Sequence, residues 1–278
     1  MDAGQPNDPP AVSRRRPPAG STFSSLRNRN YRKYFSGQVI SLIGSWMQMI
    51  ALPWLVYERT RSGTDLGLVV AVQSLPVLLL APYGGVVVDR MDKRRLLMIT
   101  QSTQGVLALV LGVLTLTHDV QIWMIVAIAL GAGLAGAFDN PARQSIVLEL
   151  VGKDDLRNAV SLNSVTINTA RAVGPVFAAG VIALLGVGVC FVVNAASFGA
   201  VILALATLDR SRLRPTQRQR RERGQLRSGL AYAAHDPELR TPLLMMALVG
   251  TLAYEYPVSL ALFAHQTFHG GASTYSFL

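Results

Sequence analysis

The sequence predicts an all-α, polytopic membrane helix bundle, and three observations carry that prediction. Half of the 278 residues are hydrophobic and only 15% are charged, where a soluble domain carries nearer a quarter. The apolar residues gather into seven stretches, each about the 20 residues a helix needs to cross ~30 Å of hydrocarbon. The basic residues alternate with them. Of the 26 Lys and Arg, 22 lie before the first stretch, between the second and third, between the fourth and fifth, or after the sixth. The loops of the opposite side hold only Arg59 and Arg61, and Arg143 and Arg171 fall within stretches. This is the positive-inside pattern, and it predicts a cytoplasmic N-terminus in the plasma (inner) membrane. A nucleic-acid binder would collect its charge on one folded face, so the net charge of +10 is read as topology and no nucleic-acid partner is expected.

Residues 1–35 read as a cytoplasmic tail and a surface helix. The first 20 are rich in Pro and Arg with almost nothing to bury. Residues 23–35 are basic and aromatic, with Phe23, Tyr31, Tyr34 and Phe35. The first apolar run starts too late for a signal peptide. Residues 36–208 are predicted to form a six-helix transmembrane bundle. Its spans lie near 37–57, 67–88 and 96–117, then start near 121, 158 and 187. The short connections make consecutive helices antiparallel neighbours. The fourth span meets Asp139-Asn140-Pro141, resumes an apolar pattern at Ala142 and breaks only at Gly152-Lys153-Asp154-Asp155. Proline is tolerated in a membrane helix whose neighbours satisfy the freed carbonyl, so the helix is predicted to run to Val151 with a kink at Pro141. Residues 209–240 read as a cytoplasmic basic linker, amphipathic over 226–234. Residues 241–278 read as a seventh transmembrane helix and a truncated stub of an eighth.

The loop between spans two and three reads Gly85-Val86-Val87-Val88-Asp89-Arg90-Met91-Asp92-Lys93-Arg94-Arg95. Gly85 is expected to allow close helix approach. Asp89, at a helix end among Arg90, Lys93 and Arg94, can act as a latch between helix groups. The pattern resembles the cytoplasmic loop signature of the major facilitator superfamily, except that Asp92 stands where that family usually has glycine. Further stretches, LRNRNYRKYFSGQVISLIGSWMQ at 26–48, FDNPARQSIVLELVGKDDLRNAVSLNS at 138–164 and RAVGPVFAAG at 171–180, resemble the enterobactin-exporter and macrolide-efflux branch. The resemblance covers 24–278 and implies the six-helix N-terminal half of a major facilitator fold plus helix seven. It implies efflux of a small molecule, such as a drug or siderophore, by alternating access, with the proton gradient as energy source and no cofactor. It implies as partners a small-molecule substrate, the lipid bilayer and a C-terminal half beyond Leu278, without which this chain is not expected to transport. The alternative is a non-transporting truncated membrane protein or the interaction subunit of a split transporter.

A lone charge in the bilayer costs about 2.5–3.5 kcal/mol on insertion scales. Asp139, Arg143, Arg171 and Glu255 are therefore expected to face the bundle interior as coupling candidates. Asp139 and Arg171 lie at matching depths, roughly 18–20 Å along their helices at 1.5 Å per residue, and are predicted to pair. Glu255 has no obvious mate and can exchange a proton. Gly174, Pro175 and Gly180 partly resemble the family's helix-five antiporter motif; the residues alone read as a kink with small-residue packing. The resemblance also places helices one, four and seven around the central cavity, which makes Trp46 and Gln48 candidates for substrate contact. Gly131, Gly133 and Gly136 spell G-x-G-x-x-G, but no strand precedes them, so they are read as helix-packing glycines rather than a dinucleotide site. Cys190 is alone and reads as packing. No metal site, no Walker motif and no nucleophile–base cluster is discernible, so neither an enzyme nor an ATP-driven pump is expected.

Overall fold

The computed structural model describes residues 23–213, 231–232 and 234–253, together with Phe263 and Thr267. Glu255, the basic run of the linker and the start of an eighth span lie outside the described residues. Within them every regular element is helical. A 3-10 turn, Ser24–Arg27, leads into α1 (Arg29–Thr60), followed by α2 (Gly63–Arg90) and α3 (Lys93–Leu116). The next helical stretch, Ile122–Leu185, is broken at Gly152, where φ is 76° and ψ is −177°. We number its two parts α4 (122–151) and α5 (153–185). Then come α6 (Val187–Ala206) and α7 (Pro237–Ala253). Among the described residues five helical stretches are long and apolar enough to cross a membrane: α1, Gly63–Leu80 of α2, α3, Ile122–Leu185 and α6.

The fourth span ends at Val151 as its apolar pattern predicts, and the helix passes through Pro141. Two other expectations are corrected. Residues 29–35 are the first turns of α1 rather than a separate surface helix. The fifth span begins at 153, directly after the break, and not near 158. The reason is Gly152: a single residue with these dihedrals, essentially open only to glycine, reverses the chain without a loop. Gly186, with φ 87°, does the same between α5 and α6.

Two apolar clusters fill the bundle. One joins Met47, Leu55, Leu66, Leu111, Ile125 and Phe191 at the end that holds the α1–α2 loop. The other joins Tyr31, Leu97, Ile146, Leu150, Leu162 and Leu205 at the opposite end. Between them, at mid-helix, lie buried polar side chains: Gln38, Ser41, Thr100, Gln101, Asp139, Asn194 and Ser197. Small residues let the helices close over this layer. A Cβ on Gly84 would stand 2.6 Å from the Ala137 carbonyl oxygen, one on Gly133 would strike the Gln73 carbonyl, and one on Gly174 would lie 2.5 Å from the Trp46 Cβ. These contacts hold α2 against α4 and α1 against α5. Gly85 and Gly180, expected to pack, have open space where a Cβ would point. All described side chains of α7 up to Gly250 are exposed, so this helix buries little.

Candidate functional site

Asp139 is the centre of the polar layer. It sits on α4, three residues before the helix passes the Ala142–Leu150 apolar face, and its side chain is only 2% exposed. Its Oδ1 accepts from the Thr100 hydroxyl and from the Gln101 amide of α3, both at 2.7 Å. Its Oδ2 accepts from Nε of Arg143 at 2.5 Å, one turn further along α4. The carboxylate thus has a counter-charge and two neutral donors, the arrangement a buried charge requires. The predicted Asp139–Arg171 pair does not form. Arg171 instead lays its guanidinium over the Trp46 ring, 5.7 Å from the centroid. Equal depth along two helices fixes height and not the direction each side chain faces, whereas a partner four residues away on one helix is in reach before any packing.

Other polar side chains line three cavities that share lining residues. The first, 360 Å³, is lined by Ser45, Gln48, Gln73, Ser74, Gln104 and Asn194 among apolar neighbours. There Asn194 donates to Gln48 Oε1 at 2.6 Å. The second, 580 Å³, shares Ser45, Gln73, Ser74 and Gln104 with it and adds Asp139, Asn140 and Arg143. The third, 650 Å³, shares Asn140 and Arg143 with the second and is bounded by Tyr34, Gln38, Gln144 and Asn163. Arg143 therefore stands where the second and third cavities meet. Gln48 lines the first cavity, while Trp46 packs on Gly174 and carries Arg171. Sequence reasoning missed Thr100, Gln101, Gln73, Gln104 and Asn194. Their signal was available: single hydrogen-bonding side chains inside otherwise apolar spans, at facing depths.

The loop signature divides its work. Lys93 pairs with Glu149 of α4. Arg94, nearly buried, donates from Nε to the Leu205 carbonyl at 2.5 Å and from Nη2 to the Ala206 carbonyl at 2.8 Å. It thereby caps the C-terminus of α6, where a cation meets the negative end of the helix dipole. Asp92 accepts from the Arg95 backbone N–H at 3.0 Å and so N-caps α3, which is the physical use of the residue that departs from the family's glycine. Asp89 and Arg90 are exposed.

A second polar network staples the same end of the bundle. Ser24 donates to Asp155 at 2.8 Å, Ser25 donates to Asn158 at 2.7 Å, and the Tyr31 hydroxyl donates to the Ala159 carbonyl at 3.1 Å. Asn28 donates to the Leu150 carbonyl while its own oxygen caps α1. On the other flank Asn30 and Asp209 exchange hydrogen bonds, and Lys33 reaches the Thr207 carbonyl. Asp209 also accepts from the Ser211 hydroxyl and amide, which hold its carboxyl below its ordinary range. Segment 24–33 thus bridges the α4–α5 joint and the end of α6.

A buried ion pair beside polar cavities, between two apolar layers of a membrane bundle, marks this layer as the candidate functional site. A family model described as a transmembrane secretion effector matches residues 20–278, and the chain belongs to this family of major facilitator superfamily transporters. It is 33% identical over 62% of its length to the Staphyloferrin A transporter of Staphylococcus aureus, covering 44% of that protein. It is 30% identical over 79% of its length to the multidrug efflux pump Tap of Mycolicibacterium fortuitum, covering 55%. With the enterobactin exporter EntS of Salmonella choleraesuis it shares 23% identity over 68% of its length, covering 46%. The chain spans about half the length of the curated relatives it matches.

Proposed function

We propose that this bundle is the N-terminal part of a secondary transporter that exports a small molecule, of the drug or siderophore kind, across the bacterial plasma membrane. The observation that carries the reading is Asp139: a carboxylate 2% exposed at mid-bundle, paired to an arginine that opens onto two cavities. A charge placed there is costly and is kept in transporters for coupling or substrate contact. The names of the relatives support the substrate kind. The proton gradient is the proposed energy source, with Asp139 as the group whose charge couples to it, and no cofactor or enzymatic step is invoked. The basic loops support a cytoplasmic N-terminus and a cytoplasmic end of α6. The proposed partner is a second bundle of the size that the relatives carry beyond the matched half.

The test is export from energised cells of the source bacterium, with dye and siderophore followed separately, in wild type and in a strain lacking the gene. Loss of export on deletion, abolished likewise by a protonophore, is the expected result. Equal export in both strains for every compound refutes the reading.

A further inference from the structure

The cavity of 650 Å³ lies between α1, α4 and α5, on the side of Arg143 away from the 360 Å³ cavity. Its described lining is polar at Tyr34, Gln38, Asn140, Gln144 and Asn163, and apolar at Leu148, Leu156, Val160 and Ile167. Arg143 is the single charged residue among the described lining. Its position is fixed by chemistry on its other side. Asp139 takes the Nε hydrogen, and Asp139 is itself held by Thr100 and Gln101. A guanidinium has five N–H donors in a rigid fork, and the Asp139 bond occupies one. Arg143 is 20% exposed, so the rest of the fork borders the cavities. Gln38, 5% exposed, adds a further polar side chain to the same lining.

We propose that this cavity binds a small organic acid, its carboxylate on the outer N–H groups of Arg143. Guanidinium matches carboxylate in shape as well as charge. The amides of Asn140, Gln144 and Asn163 add donors around the anion, and the apolar wall at Leu148, Val160 and Ile167 takes the hydrocarbon or ring of the ligand. An organic cation meets here the one charge of its own sign. The proposal rests on the export reading and names its substrate class, but binding is measurable without transport, so the two fail separately.

Fluorescence polarisation in lipid nanodiscs tests it with two probes of similar size, anionic 6-carboxyfluorescein and cationic rhodamine 6G. Wild type is expected to bind carboxyfluorescein more tightly than rhodamine 6G. The double variant Asp139→Asn with Arg143→Gln removes both charges and leaves none unpaired. It is expected to bind carboxyfluorescein roughly 10- to 100-fold more weakly, the loss of one charge-assisted hydrogen bond, with rhodamine 6G unchanged. Arg143→Lys keeps the charge without the fork and is expected to fall between. Val160→Trp fills the cavity from its far wall without touching a charge and is expected to weaken carboxyfluorescein binding too. No binding of carboxyfluorescein by wild type, tighter binding of rhodamine 6G, or unchanged carboxyfluorescein affinity in either the double variant or Val160→Trp overturns the proposal.

Discussion

Removing one member of the Asp139–Arg143 pair should destabilise the bundle unequally, depending on which member goes. Arg143→Gln leaves a carboxylate 2% exposed with two neutral donors and no counter-charge. Stripping the partner from a buried charge costs about 3–5 kcal/mol. Asp139→Asn leaves a guanidinium that is 20% exposed and borders two cavities, so water can reach it. The asparagine oxygen can still accept from Thr100 and Gln101. The loss is then one hydrogen bond to a charged group, about 1.5–3 kcal/mol. Neutral hydrogen bonds between membrane helices average only about 0.6 kcal/mol, so Thr100 and Gln101 cannot replace the arginine. The double variant removes both charges and should be more stable than Arg143→Gln alone, with a coupling energy of about 1–3 kcal/mol. Reversible unfolding in mixed micelles of increasing SDS fraction gives all four stabilities. Additive losses would refute the pairing, and Asp139→Asn costing more than Arg143→Gln would refute the argument from exposure.

Three further outcomes follow from the geometry. Gly152→Ala should cost about 1–3 kcal/mol in the same assay, because alanine cannot hold φ 76° with ψ −177° without strain; a loss below 0.5 kcal/mol, roughly that of an ordinary surface change, would mean the joint relaxes. Asp92→Ala should cost about 1 kcal/mol as a lost N-cap, and Asp92→Asn much less; equal losses from both would show that charge and not capping matters. With Cys190→Ser as background, a membrane-impermeant thiol reagent outside intact cells should label Gly63→Cys and spare Ser211→Cys, and the reverse pattern would sink the proposed orientation.

The helices were legible because each physical signal is local. The end of α4 at Val151 follows from an apolar pattern that resumes after Pro141, and the inward placement of Asp139 and Arg143 follows from the cost of charge in hydrocarbon. Facing directions were not legible. Gly84 and Gly85 differ by one position, yet one residue turns a helix by about 100°, and only Gly84 meets α4. The same blindness to rotation produced the Asp139–Arg171 pairing. The staple of segment 24–33 was hidden for another reason. Its polar side chains look solvated in sequence, and their partners at Leu150, Asp155, Asn158 and Thr207 lie more than 100 residues away. Asp92 could have been read as a cap from its place before α3; comparison with the family's glycine drew attention to what was missing instead of what was gained.

The one-residue joint at Gly152 has a mechanical consequence. A loop of several residues lets two rods tilt independently; a single residue has only two torsions to absorb a tilt, and here both neighbours are already helical. The joint is also gripped on either side, by Asn28 and Lys93 on the α4 end and by Ser24, Ser25 and Tyr31 on the α5 end. Helices α4 and α5 must therefore move as one lever with no play at its elbow. A displacement of Arg143, about 14 Å along α4 from the elbow at 1.5 Å per residue, is passed to Asn163 and Ile167 on α5 instead of being lost in slack chain. Whatever fills the space between those residues pushes on both arms at once.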